Sequence, residues 1–172
     1  TIAGSVVGTY WFLMMIGRLC GASIGAKVSS RAMLTVVSTV GIALVLGAIF
    51  CADNILVNMP VFKSDISFGF AQVPVNVMLL ILCGLCTSVM WGGIFNLAVE
   101  GLGKYTAAAS GLFMVMVCGG GILPLIQGGV ADFAGFLNSY WVIALGLAYI
   151  LFYAAIGSKN VNTDIPTDDY EA

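Results

Sequence analysis

Five apolar stretches of about twenty residues each dominate this chain: about Val6–Ala26, Ala32–Cys51, Val75–Ala98, Thr106–Val130 and Ser139–Ile156. Each is long enough to cross the roughly 30 Å hydrocarbon core of a bilayer as a helix. A backbone inside lipid must satisfy its own hydrogen bonds, which leaves helices and closed barrels as the only solutions. None of the five stretches alternates polar and apolar residues with period two, which argues against a barrel. The composition agrees. The chain is 60% hydrophobic and 8% charged over 172 residues, against roughly a quarter charged in soluble domains. The expected fold is all-α, a polytopic membrane protein with five transmembrane helices.

Basic residues assign the two sides. Lys27, Arg31, Lys104 and Lys159 follow the first, third and fifth stretches, whereas the opposite side holds only Lys63 against Asp53, Asp65 and Asp132. By the positive-inside rule the chain enters from outside and ends in the cytoplasm. Residues 1–157 are then a helical bundle, and 158–172, "SKNVNTDIPTDDYEA", an acidic cytoplasmic tail expected to be disordered. The outer segment 52–74, with Pro60, Pro74 and scattered aromatics, is expected to lie partly at the membrane interface. Opening on Thr1, without an initiator methionine or a basic leader, the sequence reads as the back part of a longer protein.

Several function classes drop out. A net charge of −2 does not suit nucleic-acid binding. With no histidine, no metal site and no cofactor is expected. Cys83 and Cys86 form a CxxC pair, but with no second pair they read as small packing residues. No stretch carries Asp, Glu or His near its middle, so this segment supplies no proton relay. An intramembrane enzyme would need a nucleophile–base pair or a metal cluster that these residues do not provide.

Two stretches stand out. In "GRLCGASIGAKVSSR", Gly17, Gly21 and Gly25 continue the four-residue spacing of Gly4 and Gly8, the mark of a close-packing helix face. Arg18 lies nine residues before Lys27, roughly 13 Å along a helix, where a charge costs about 2.5–3.5 kcal/mol on insertion scales. One reading pairs it with Glu100 at the end of the third stretch. The other pairs Glu100 with Lys104 at i,i+4 and leaves Arg18 to carbonyls or lipid phosphate. In "CGGGILP", Gly119, Gly120, Gly121 and Pro124 loosen the fourth stretch near its middle and favour a bend or a close approach.

The runs "YWFLMMIGRLCG…KVSSRAML" and "WGGIFNLAVEGLGKYTAAASGLFMVMVCGGGILPLIQGGVAD" resemble the C-terminal half of major facilitator superfamily sugar transporters. The similarity is greatest to the fucose:proton symporter family, with its fucose permeases and glucose/galactose porters. The resemblance implies that the five stretches are the eighth to twelfth of twelve helices in a bacterial inner-membrane transporter. Its partners would be a sugar, membrane lipid and a missing N-terminal half, with the coupling carboxylates outside this segment. Lys27 and Arg31 would belong to the family's cytoplasmic loop motif. Ala22, Ala26 and Ser29 replace its glycine, aspartate and second glycine. The third stretch would face substrate, the first and fourth would form the interface between halves, and Tyr149 and Tyr153 would be packing residues.

The substrate candidates are Trp91, Asn96 and Gln127. Trp91 sits about 6 Å past the middle of the third stretch, with Gly92 and Gly93 beside it to clear space for a sugar ring. Asn96 falls about 140° around the same helix, and Gln127 lies near the outer end of the fourth. A superfamily carrier of drugs or other solutes, and a non-transporting structural subunit, are the competing readings.

Overall fold

The computed structural model describes residues 2–51, 54–62 and 67–159. Asp53, Lys63 and Asp65, and all but the first two residues of the expected tail, lie outside them. Five of its helical segments are long and apolar enough to cross a membrane: Ile2–Gly25, Ser30–Phe50, Val75–Val99, Gly103–Ala134 and Phe136–Gly157.

The first is α1 (Ile2–Gly25). A four-residue turn leads to α2 (Ser30–Phe50), whose N-cap Ser29 accepts a hydrogen bond from Ala32 N at 3.3 Å. The third span is α3 (Val75–Val99), which ends at Glu100, and Gly101 and Gly103 then take positive φ. These are conformations that cost glycine little and other residues more. A 3-10 turn, Gly103–Tyr105, starts the fourth span, and α6 (Phe136–Phe152) with a π turn, Tyr153–Gly157, makes the fifth.

The fourth span is not one helix. It divides into α4 (Thr106–Met116) and α5 (Gly119–Ala134). Around the junction Val117 N, Cys118 N, Gly120 N and Gly121 N donate to the carbonyls of Met114, Val115, Val117 and Cys118 at 2.8–3.2 Å. These are i→i−3 bonds of the tighter 3-10 type. Pro124 sits inside α5. The break at Val117–Cys118 therefore falls nearly two turns before the proline, directly ahead of Gly119–Gly121, which supply no side chains to hold the α register.

Within the 52–74 segment two strands pair as an antiparallel hairpin, which the sequence reading did not anticipate. Strand β1 (Leu56–Phe62) pairs with β2 (Phe68–Pro74) in the register Leu56↔Pro74 to Phe62↔Phe68. Met59, Val61 and Val73 are buried against Ile81, with Val6, Tyr10 and Leu13 of α1 around them. Pro60 obscures this in the sequence, because a proline inside a run argues against a ladder. In a two-stranded ribbon each strand has a free edge, so the missing N–H is tolerated. Phe62 N donates to Thr9 Oγ1 at 2.9 Å, and the Phe12 and Phe62 rings stack at 5.3 Å.

In cross-section α1 lies on α3, α3 on α2, α2 on α6 and α6 on α5, while α4 touches α3. One core runs along α2, α3 and α6 through Leu34, Val45, Cys83, Cys86, Met90 and Leu147. Cys83 and Cys86 are buried free thiols within it. Glycines set the helix spacing: Gly17 faces Leu85 and Ser88, Gly21 faces Val89, and Gly84 lies against the Tyr10 ring. Neither α4 nor α5 buries a single residue, and a Cβ at Gly119, Gly120 or Gly121 would meet nothing within 4 Å.

Candidate functional site

Three hollows with polar side chains in their walls lie along α3. The first, of about 550 Å³, lies at the end carrying Lys27 and Arg31 and is lined by Ser29, Ser30, Arg31, Asn96 and Glu100. Arg31 Nη2 donates to Ser158 O at 3.0 Å, tying the start of α2 to the end of α6. Its Nε is buried without a hydrogen-bond partner among the described residues. Lys27 is exposed in the α1–α2 turn.

The second hollow, of about 540 Å³, is lined by Arg18, Ser88, Trp91 and Gly92. Trp91 stays 48% exposed, and its ring meets Phe113 of α4 edge-on at 5.2 Å. One side of the indole is thus braced while the hollow remains open. Gly92 has open space where a Cβ would be, but Gly93 is buried against Leu34 of α2. Only the first of the two glycines clears space beside the indole. Ser88 Oγ donates to Leu85 O at 2.6 Å, which leaves its oxygen as an acceptor.

The third hollow, of about 520 Å³, lies toward the hairpin and is mostly apolar, with Tyr10, Thr87, Gln127 and Tyr140 in its wall. Tyr10 Oη and Thr87 Oγ1 are 3.2 Å apart, and Thr87 Oγ1 donates to Gly84 O at 3.2 Å. Tyr10 is therefore the donor of the pair.

The sequence-derived candidates thus separate. Trp91 lies in the second hollow, Asn96 in the first and Gln127 in the third. Arg18 and Glu100 line different hollows, and Glu100 is nine residues beyond Trp91 on α3, about 13 Å along the axis. Arg18 lines the hollow beside α3 about two turns of helix before the end of α1. Gly21 is buried in the α1–α3 seam, whereas Gly25 has left it and faces only Met33 Cε at 3.9 Å. Helices that cross at an angle part toward their ends, so a linear glycine repeat overstates the seam. Sequence reasoning did not select Ser88, Tyr10 or Thr87. The i,i+3 spacing of Ser88 and Trp91 was the available signal.

No family model matches the chain, and no solved structure matches it. Named relatives do. A glucose/galactose transporter of Brucella abortus is 44% identical over 77 residues, 45% of this chain and 19% of the relative. A putative glucose/galactose transporter of Helicobacter pylori is 31% identical over 155 residues, 87% of this chain and 33% of the relative. The L-fucose-proton symporter of Escherichia coli is 33% identical over 92 residues, 53% of this chain and 21% of the relative. The chain spans at most a third of the length of these relatives, all of which are named as transporters. With five helices able to cross a bilayer, the chain is a multi-pass membrane protein and a partial-length homologue of the bacterial glucose/galactose and fucose transporters.

Proposed function

We propose that the chain is the C-terminal part of a proton-coupled monosaccharide transporter of the bacterial inner membrane. It forms one wall of a central path and moves against an N-terminal half by alternating access. Lys27, Arg31, Lys104 and Lys159 mark the cytoplasmic side, so the tail after Gly157 is cytoplasmic. The broken fourth span and the exposed side of α1 that carries Arg18 form the face toward the other half. What supports the fourth span's role is that α4 and α5 bury nothing in this chain while exposing three consecutive glycines.

The observation that carries the reading is Trp91. A half-open indole, braced by Phe113 and next to the bare Gly92, offers an apolar face for a pyranose ring and an N–H for a hydroxyl. Arg18 and Ser88 add a donor and an acceptor in the same hollow. Asn96 and Gln127 stand at either end of the path and meet sugar only on entry or exit. The test is uptake of labelled glucose, galactose and fucose by cells expressing the full-length protein, with and without a protonophore. Uptake of at least one sugar, abolished by the protonophore, is the expected result. Absence of uptake of all three at normal membrane levels overturns the sugar reading, and protonophore-insensitive accumulation overturns proton coupling.

A further inference from the structure

We propose that Arg18, with Trp91 and Ser88, forms a carboxylate-binding site within the membrane-spanning wall. The inference rests on the transport reading and deepens it. Arg18 is exposed, seven residues before the end of α1 at Gly25, about 10 Å along the axis. Its side chain leans back toward the start of the helix, away from the nearer membrane face. It makes no ion pair or hydrogen bond among the described residues. A lone cation at this depth is costly, and in membrane proteins such groups face a cavity or a partner.

The lining chemistry selects the ligand. Arg18 brings a five-donor planar fork and no acceptor, and Trp91 brings a donor only. Among the described lining side chains the one acceptor is Ser88 Oγ, whose own proton goes to Leu85 O. The N–H of Trp91 and the acceptor of Ser88 can serve one hydroxyl between them, which leaves the guanidinium fork of Arg18 with donors and no acceptor to match. A carboxylate, which only accepts and matches the guanidinium fork in two bonds, fits it well. The chain's described carboxylates are elsewhere. Glu100 lines the separate hollow at the Arg31 end, and Asp132 is near the end of α5.

The carboxylate has two sources: an acidic side chain of the same transporter outside the described residues, or the carboxyl of a sugar acid carried as substrate. The experiment measures uptake of labelled glucose and glucuronate by the full-length protein, wild type, Arg18→Gln and Arg18→Lys, normalised to membrane level. The expected result is a fall of tenfold or more in kcat/KM for Arg18→Gln, with Arg18→Lys retaining more because it keeps the charge. An equal fall for both sugars assigns the carboxylate to the protein. Suppressors of Arg18→Gln that neutralise an acidic residue then identify it. A fall at least tenfold greater for glucuronate assigns it to the substrate. Wild-type kinetics in Arg18→Gln at normal level overturns the proposal. Should that variant fail to accumulate, identical kinetics of Arg18→Lys and wild type for both sugars overturns it instead. Absence of uptake by the wild type counts against the transport reading, not against this site.

Discussion

Replacing Gly17 by alanine tests whether the α1–α3 seam holds the wall together. A Cβ at Gly17 would sit 2.9 Å from Ser88 Cβ and 3.1 Å from Leu85 O. Ordinary carbon contacts lie at about 3.5–4.0 Å, so the helices must separate by about 0.6 Å or more. A gap of that size forfeits a quarter to a half of each contact. Over roughly forty atom pairs worth 0.1–0.2 kcal/mol each, the loss is about 1.5–3 kcal/mol. Alanine regains about 0.5–1 kcal/mol of backbone entropy relative to glycine in a helix. The expected net destabilisation is therefore about 1–2 kcal/mol. Gly111→Ala is the matched control. A Cβ there meets nothing within 4 Å, so only the gain of about 0.5–1 kcal/mol remains. The measurement is the unfolding free energy in mixed micelles by SDS titration, for both variants and for Gly17→Ala combined with Ser88→Gly. The double variant removes one obstructing side chain and recovers part of the loss. Equal stabilities for Gly17→Ala and Gly111→Ala would refute the close-approach argument.

Trp91→Ala raises the KM for sugar by roughly tenfold, equivalent to about 1.4 kcal/mol, while Trp91→Phe, which keeps a ring face, raises it less; unchanged kinetics at normal surface level remove Trp91 from the path. Thr9→Val takes away the acceptor of Phe62 N and costs about 1–3 kcal/mol of hairpin anchoring. It shows as faster hydrogen exchange at Phe62, and no change in exchange would mean that the hairpin is held by its aromatic contacts alone. Arg31→Met severs the bond to Ser158 O, a charge-assisted contact worth about 1.5–3 kcal/mol. Limited proteolysis should then cut after Lys159 faster than in the wild type, and equal cleavage rates would show that the contact does not anchor the end of α6.

The membrane-spanning plan was legible in the sequence because lipid imposes it on composition. A stretch such as Val75–Ala98 can only be a helix, and the observed α3 runs Val75–Val99. The Gly17–Gly21 part of the seam was legible for a related reason: in lipid, close approach requires small residues at fixed spacing. The hairpin was not, because Pro60 masks the alternation of Val57, Met59 and Val61, and only the burial of Met59 and Val61 beside α1 shows which side faces in. Nor does local sequence contain the break before Gly119, since three glycines allow a bend without choosing its place; the choice rests with contacts to α3 and α6 on either side. The polar candidates show the same limit. Arg18 and Trp91 are 73 positions apart in the chain, and Asn96 is only five from Trp91, yet the first pair shares a hollow and the second does not. Spacing along one helix determines which residues share its face, whereas meeting across helices depends on the crossing of α1 over α3, which is set by every contact along the seam.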